Sequence, residues 1–145
     1  YNHEDYQLRI LQNIKANYNA LTFDLLENNQ YARAGKVVNF LYSKFHARLP
    51  ARQRKNIQLD HTSISTTELL FKLGEKEKAK LLAERLFNKA ESLLEYYSAQ
   101  NQLDESDGQL QLYTLRQLQR LYLENGEDSL AEKCSSKLNA YLSYL

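Results

Sequence analysis

The chain has no methionine and no tryptophan, one cysteine, one proline and four glycines in 145 residues. A single cysteine, Cys134, excludes an internal disulfide framework and any cysteine-built zinc site. So few glycines and prolines leave little material for the turns of a strand-rich fold. No apolar run approaches the roughly 18 residues that cross a bilayer, and no secretory leader is legible. Glycine-rich phosphate loops are missing, and no asparagine begins an N-x-Ser/Thr sequon. Lysine and arginine total 19 against 18 acidic residues, and a net charge of +1 argues against a dedicated nucleic-acid binder. With no methionine and Tyr1 as its first residue, the chain reads as a piece of a longer protein.

What remains is helix-forming material. Leu, Lys, Glu, Gln and Ala dominate, and the hydrophobic (43%) and charged (26%) fractions are those of a globular domain with a real core. The reading is all-α, as one domain over residues 1–145. Three segments share one punctuation: an apolar run, a turn residue (Asn29, Gly74, Gly126), then an alanine five positions later (Ala34, Ala79, Ala131). Leu41, Leu86 and Leu138 each follow twelve residues past the turn. The turn recurs at intervals of 45 and 52 residues, which predicts stacked helical hairpins. A small residue after each turn lets the second helix approach the first, so a bulky residue at Ala79 or Ala131 overpacks the contact by roughly 1–3 kcal/mol.

Apolar spacing predicts a first helix from about Glu4 to Glu27 with Leu11, Ile14, Tyr18, Leu21 and Leu25 inward. A second runs from Tyr31 to about Arg48 with Ala34, Val37, Val38, Leu41 and Phe45 inward, and Pro50 stops it. Residues 49–60 show no period and read as a linker. Thr62, Ser63 and Ser65 offer N-caps for a short third helix ending at Gly74, with Ser65 and Glu68 at capping-box spacing. The fourth carries the broadest stripe, from Ala79 and Leu82 through Leu86, Phe87 and Ala90 to Tyr97, and its cysteine-bearing counterpart near the C-terminus predicts a buried Cys134. Asp104 to Gly108 form an acidic turn suited to a helix start. The fifth helix is expected over Gln109–Glu124 and the sixth from Glu127 to near Leu145. The hairpins are thus about 4–48, 61–100 and 109–145.

The run Leu-Gly-Glu-Lys-Glu-Lys-Ala-Lys-Leu-Leu-Ala-Glu-Arg-Leu-Phe (73–87) resembles the second helix of a tetratricopeptide-type hairpin, with a counterpart from Asn28 to Phe45 closed by Pro50. The intervals exceed the consensus of about 34 residues, and its tryptophan is missing. The resemblance implies three antiparallel hairpins stacked as a tetratricopeptide-like α-solenoid. The order of parts is narrower still: hairpin, linker, Gly-Glu-Lys-Glu-Lys-Ala hairpin, Leu94 to Tyr97, and a Leu-rich hairpin with Leu130 to Lys133. It resembles the soluble C-terminal region of bacterial multi-pass membrane proteins with a glycosyltransferase-like, O-mannosyltransferase-like membrane half. That resemblance implies that sugar-transfer chemistry belongs to a membrane portion outside this chain. It also implies a position outside the cytoplasmic membrane.

Catalytic signals are weak. His3, His46 and His61 show no metal-ligand spacing, and Asp60-His61-Thr62-Ser63 holds triad residue types without triad geometry. No cofactor is implied. A basic run is the best non-structural signal: Lys44, Arg48, Arg52, Arg54 and Lys55, five fixed charges within twelve residues. A solvated helix end, an anionic lipid surface and nucleic acid are its three readings. Eleven tyrosines are many; Tyr18, Tyr97, Tyr113 and Tyr141 fall on apolar faces, or else line a groove for a peptide or sugar. The function expected is a non-catalytic interaction and scaffolding module binding protein or peptide segments. It would belong to a larger membrane protein, the parent reaching an anionic membrane surface. The alternative is a free-standing peptide-binding adaptor.

Overall fold

The structure is a computed structural model and describes residues 3–46 and 61–144. Among the described residues the chain is all-α, with six helices and no strand. They are α1 (His3–Glu27), α2 (Tyr31–Phe45), α3 (His61–Lys72), α4 (Lys76–Ala99), α5 (Ser106–Glu124) and α6 (Asp128–Leu142). The chain divides into two compact units, Tyr1–Leu82 and Ala83–Leu145, so the boundary falls inside α4.

The expected turns are built alike. Asn29, Gly74 and Gly126 take positive φ of 58°, 78° and 75°. The amide after each donates back to a carbonyl five residues earlier: Gln30 to Leu25, Glu75 to Leu70 and Glu127 to Tyr122, each at 2.8 Å. The turn residues themselves donate to Leu26, Phe71 and Leu123, which completes a Schellman cap in each case. Gln30, Glu75 and Glu127 then accept from the amides of Ala34, Ala79 and Ala131. One residue therefore closes a helix and opens the next. That shared residue is the reason the alanine recurs at a fixed offset. All three alanines are buried, as are Leu41, Leu86 and Leu138. A fourth cap of this kind, at Asn101 (φ 56°) with Gln102 donating to Tyr97, ends α4.

In the first unit α1 packs on α2, and both pack on α3. Buried residues lie all round α3: Thr62, Ser63, Ile64, Thr66, Thr67, Leu69, Leu70 and Phe71. The expected N-cap at Ser65 is not used, since Ser65 lies inside α3. Hydroxyls here face packed neighbours instead of a helix end, and Thr66 and Thr67 bond the carbonyls of Thr62 and Ser63. Asn39 of α2 donates to Glu75 (3.2 Å) and accepts from Lys78 (2.6 Å), tying α2 to the first turn of α4.

In the second unit α5 packs on α6. The predicted α4 stripe is inward, with Ala83, Leu86, Phe87, Ala90 and Leu94 buried. Lys133 of α6 stands 4.6 Å from the Phe87 ring, and Lys137 meets Glu91 at 3.2 Å. Helix α5 starts three residues earlier than expected, at Ser106. Gly108 is buried there and packs so close to the preceding turn that a Cβ would lie 2.6 Å from the carbonyl oxygen of Leu103.

Candidate functional site

Helix α1 is rotated about its axis from its predicted orientation. Of Leu11, Ile14, Tyr18, Leu21 and Leu25, only Leu25 is buried, while Ile14 and Leu21 are 37% and 44% exposed. The inward residues are Lys15 and Asn19, each 3% exposed, together with Thr22. Spacing of 4, 3 and 3 puts these and Leu25 on one side of the helix. Asn19 goes inward because α3 supplies matching partners. Asn19 donates its side-chain amide to the Thr62 carbonyl at 2.9 Å and accepts from the Thr66 hydroxyl at 2.9 Å. Thr22 bonds the carbonyl of Tyr18. A buried amide with both ends satisfied is stable where an unpaired one would not be.

The outer side of α1 therefore carries an apolar row of Ile10, Ile14 and Leu21, bordered by Leu11 and Tyr18. It joins α2 through Tyr18, whose ring lies 5.5 Å from that of Phe40 at a 58° tilt. Tyr18 and Phe40 are each eleven residues from Asn29, the level at which an antiparallel hairpin brings them together. Phe40 is 51% exposed. Singly exposed apolar residues are ordinary, whereas these stand together on one side of the hairpin.

The other expected residues are scattered. Lys44 is exposed in the last turn of α2, while Arg48, Arg52, Arg54 and Lys55 lie outside the described residues. His46 is buried at the end of α2, His61 is exposed at the start of α3, and the His3 side chain and Asp60 lie outside the described residues. Thr62 and Ser63 are buried within α3, so their hydroxyls face packed neighbours and not solvent. Among the described residues no group of three or more His, Cys, Asp and Glu side chains could hold a metal ion. No described helix is long and apolar enough to cross a membrane.

The tyrosines part ways as well. Tyr113 is exposed and Tyr141 buried, whereas Tyr97 is half-buried with its ring 5.6 Å from Tyr96. Burial, then the charge of Asp107, raises the Tyr97 hydroxyl above its ordinary value. Burial, then Glu95, does the same for Tyr141. Cys134 is buried as expected, and burial pushes its thiol up to about 11. Tyr122 beside it is raised too, by burial first and then by Cys134, Glu84 and Glu127. Tyr122, Cys134 and Tyr141 are core groups held in their neutral forms. The surface feature that periodicity missed is the α1 face. Its signal was present in Lys15, Asn19 and Thr22, which share a side with Leu25, and Asn19 finds its two partners only when α3 is in place. No protein-family model matches this chain, and no curated protein or solved structure matches it either.

Proposed function

We propose that this chain is a non-catalytic interaction and scaffolding module, the soluble C-terminal part of a larger membrane protein. The observation that carries the reading is the exposed apolar row of α1 and Phe40, set over a satisfied polar network that keeps the helix from turning that row inward. What sets Ile14, Leu21 and Phe40 apart from other exposed apolar residues is that they adjoin one another across α1 and α2, and contiguous apolar patches are where partners bind.

The finer architecture proposed is a tetratricopeptide-like stack of hairpins. Its support is the same cap and the same buried alanine at Asn29, Gly74 and Gly126. The membrane parent, with its sugar-transfer chemistry and its extracytoplasmic side, rests on the order of sequence parts alone. A reading frame with many apolar spans ahead of Tyr1 supports that parent, and a start codon a few codons upstream removes it.

The interaction reading is tested by comparing the wild-type chain with an Ile14→Lys/Leu21→Lys variant of equal helix content. Proteins retained by the wild type and lost by the variant are the expected result. Identical retention, or none by either, defeats the reading.

A further inference from the structure

We propose that the seam between α1 and α2 receives an amphipathic helix of a partner protein whose apolar stripe is flanked by acidic residues. This deepens the interaction-module reading and rests on it. The apolar floor is Ile14, Tyr18 and Leu21 on α1 with Phe40 on α2, continuous through the Tyr18–Phe40 ring contact. Phe40 stands in a line with Lys36 and Lys44, one turn away on either side, and all three are exposed. Lys44 and Ile14 are each fifteen residues from Asn29, so the hairpin sets them at one level.

Charge separates across the seam. Helix α2 holds Arg33, Lys36 and Lys44 and no acidic residue. The Arg33 guanidinium is held by the Gln30 side chain at 2.6 Å, while Lys36 and Lys44 have no ion-pair partner among the described residues. Acids on an incoming helix would meet these two ammonium groups beside the apolar floor, and such charge matching sets specificity and encounter rate. An anionic bilayer fits the same face poorly. Asp24 is exposed three residues from Leu21, on the same outer side of α1, and Glu27 is exposed one turn further. A headgroup layer would press negative charge on both rims, whereas a helix can carry its acids along the α2 rim alone. The floor residues also remain half seated on their neighbours. That shape suits ridges packing into a groove better than side chains plunging into acyl chains.

The test uses synthetic probes. One is a labelled helical peptide of about 18 residues with leucines at i, i+3, i+4 and i+7 and glutamates along one flank. A second peptide replaces the glutamates by lysines, and vesicles of phosphatidylcholine and phosphatidylglycerol form the third probe. Anisotropy is expected to show the glutamate peptide binding at least about tenfold tighter than the lysine peptide, with the preference shrinking as salt rises. Phe40→Ser weakens both peptides. Lys36→Glu/Lys44→Glu reverses their order, a gain of binding that misfolding cannot produce. Equal binding of the two peptides, lost on Phe40→Ser, keeps the interaction surface and overturns the acidic partner. No binding of the glutamate peptide, an unreversed preference, or vesicle binding that alone depends on Lys36 and Lys44 also overturns it. If the partner-retention experiment fails as well, the broader reading falls with it.

Discussion

Asn19→Ala and Leu21→Lys, made separately on the same helix, have opposite expectations from those of an ordinary amphipathic helix. Asn19 is buried and spans α1 to α3 through two 2.9 Å bonds, to the Thr62 carbonyl and from the Thr66 hydroxyl. Each is worth about 1 kcal/mol net, and the space left by truncation adds to the loss, so Asn19→Ala costs about 2–3 kcal/mol. Leu21 is 44% exposed. A lysine there keeps a good helix former and lays its aliphatic stem over the same surface, so Leu21→Lys costs no more than about 0.5–1 kcal/mol. In urea, followed by far-UV circular dichroism, the Asn19 midpoint falls by about 1–2 M and the Leu21 midpoint by less than half of that. Thr66→Val completes a double-mutant cycle with Asn19→Ala, and a coupling of about 1 kcal/mol is expected from their shared bond. A larger loss from Leu21→Lys than from Asn19→Ala would mean that the leucine face, not the asparagine face, is inward, leaving no exposed apolar row on α1 for a partner.

Three further outcomes follow from the packing. Ala79→Leu, at a fully buried position, should lower stability by about 1–3 kcal/mol through overpacking, read from the urea midpoint; an unchanged midpoint would show that the contact has room. Gly108→Ala drives a Cβ against the backbone oxygens of Leu103 and Gln102, so amide chemical shifts over residues 102–108 should move and stability fall, and unshifted amides would contradict the close approach. Burial raises the Cys134 thiol from 9.0 to about 11. A raised acid favours the folded state while protonated, so its contribution is complete below about pH 9 and disappears as pH climbs toward 11. Stability should fall over that window, less steeply in Cys134→Ala, and rapid labelling of the native thiol at pH 8 would refute its burial.

Much of the fold was legible because its determinants are local. A Schellman cap needs one residue tolerant of positive φ and partners within six residues, so Asn29, Gly74 and Gly126 announce themselves. The broad stripe of α4 reads correctly because apolar burial there agrees with period. Asn101 forms the same cap without announcing itself, since its surroundings offer no matching alanine five residues on. Ser65 looked like a cap because capping-box spacing also occurs inside helices. The basic run contributes one described residue, Lys44, to the proposed seam, and that seam owes as much to Lys36, which no charge cluster singled out.

The residues alone determined that this is a helical chain, where three of its turns fall, and which small side chains sit just beyond them. Those are outcomes of backbone conformation and of bonds closed within one or two turns. Only the tertiary structure decided which way α1 faces. Its two sides are nearly matched rivals, one aliphatic and one holding Lys15, Asn19 and Thr22. The choice lies with one hydroxyl and one carbonyl on α3, more than forty residues along the chain. A polar group gains by entering the interior only when its partners are already placed there, and no periodicity within α1 carries that information.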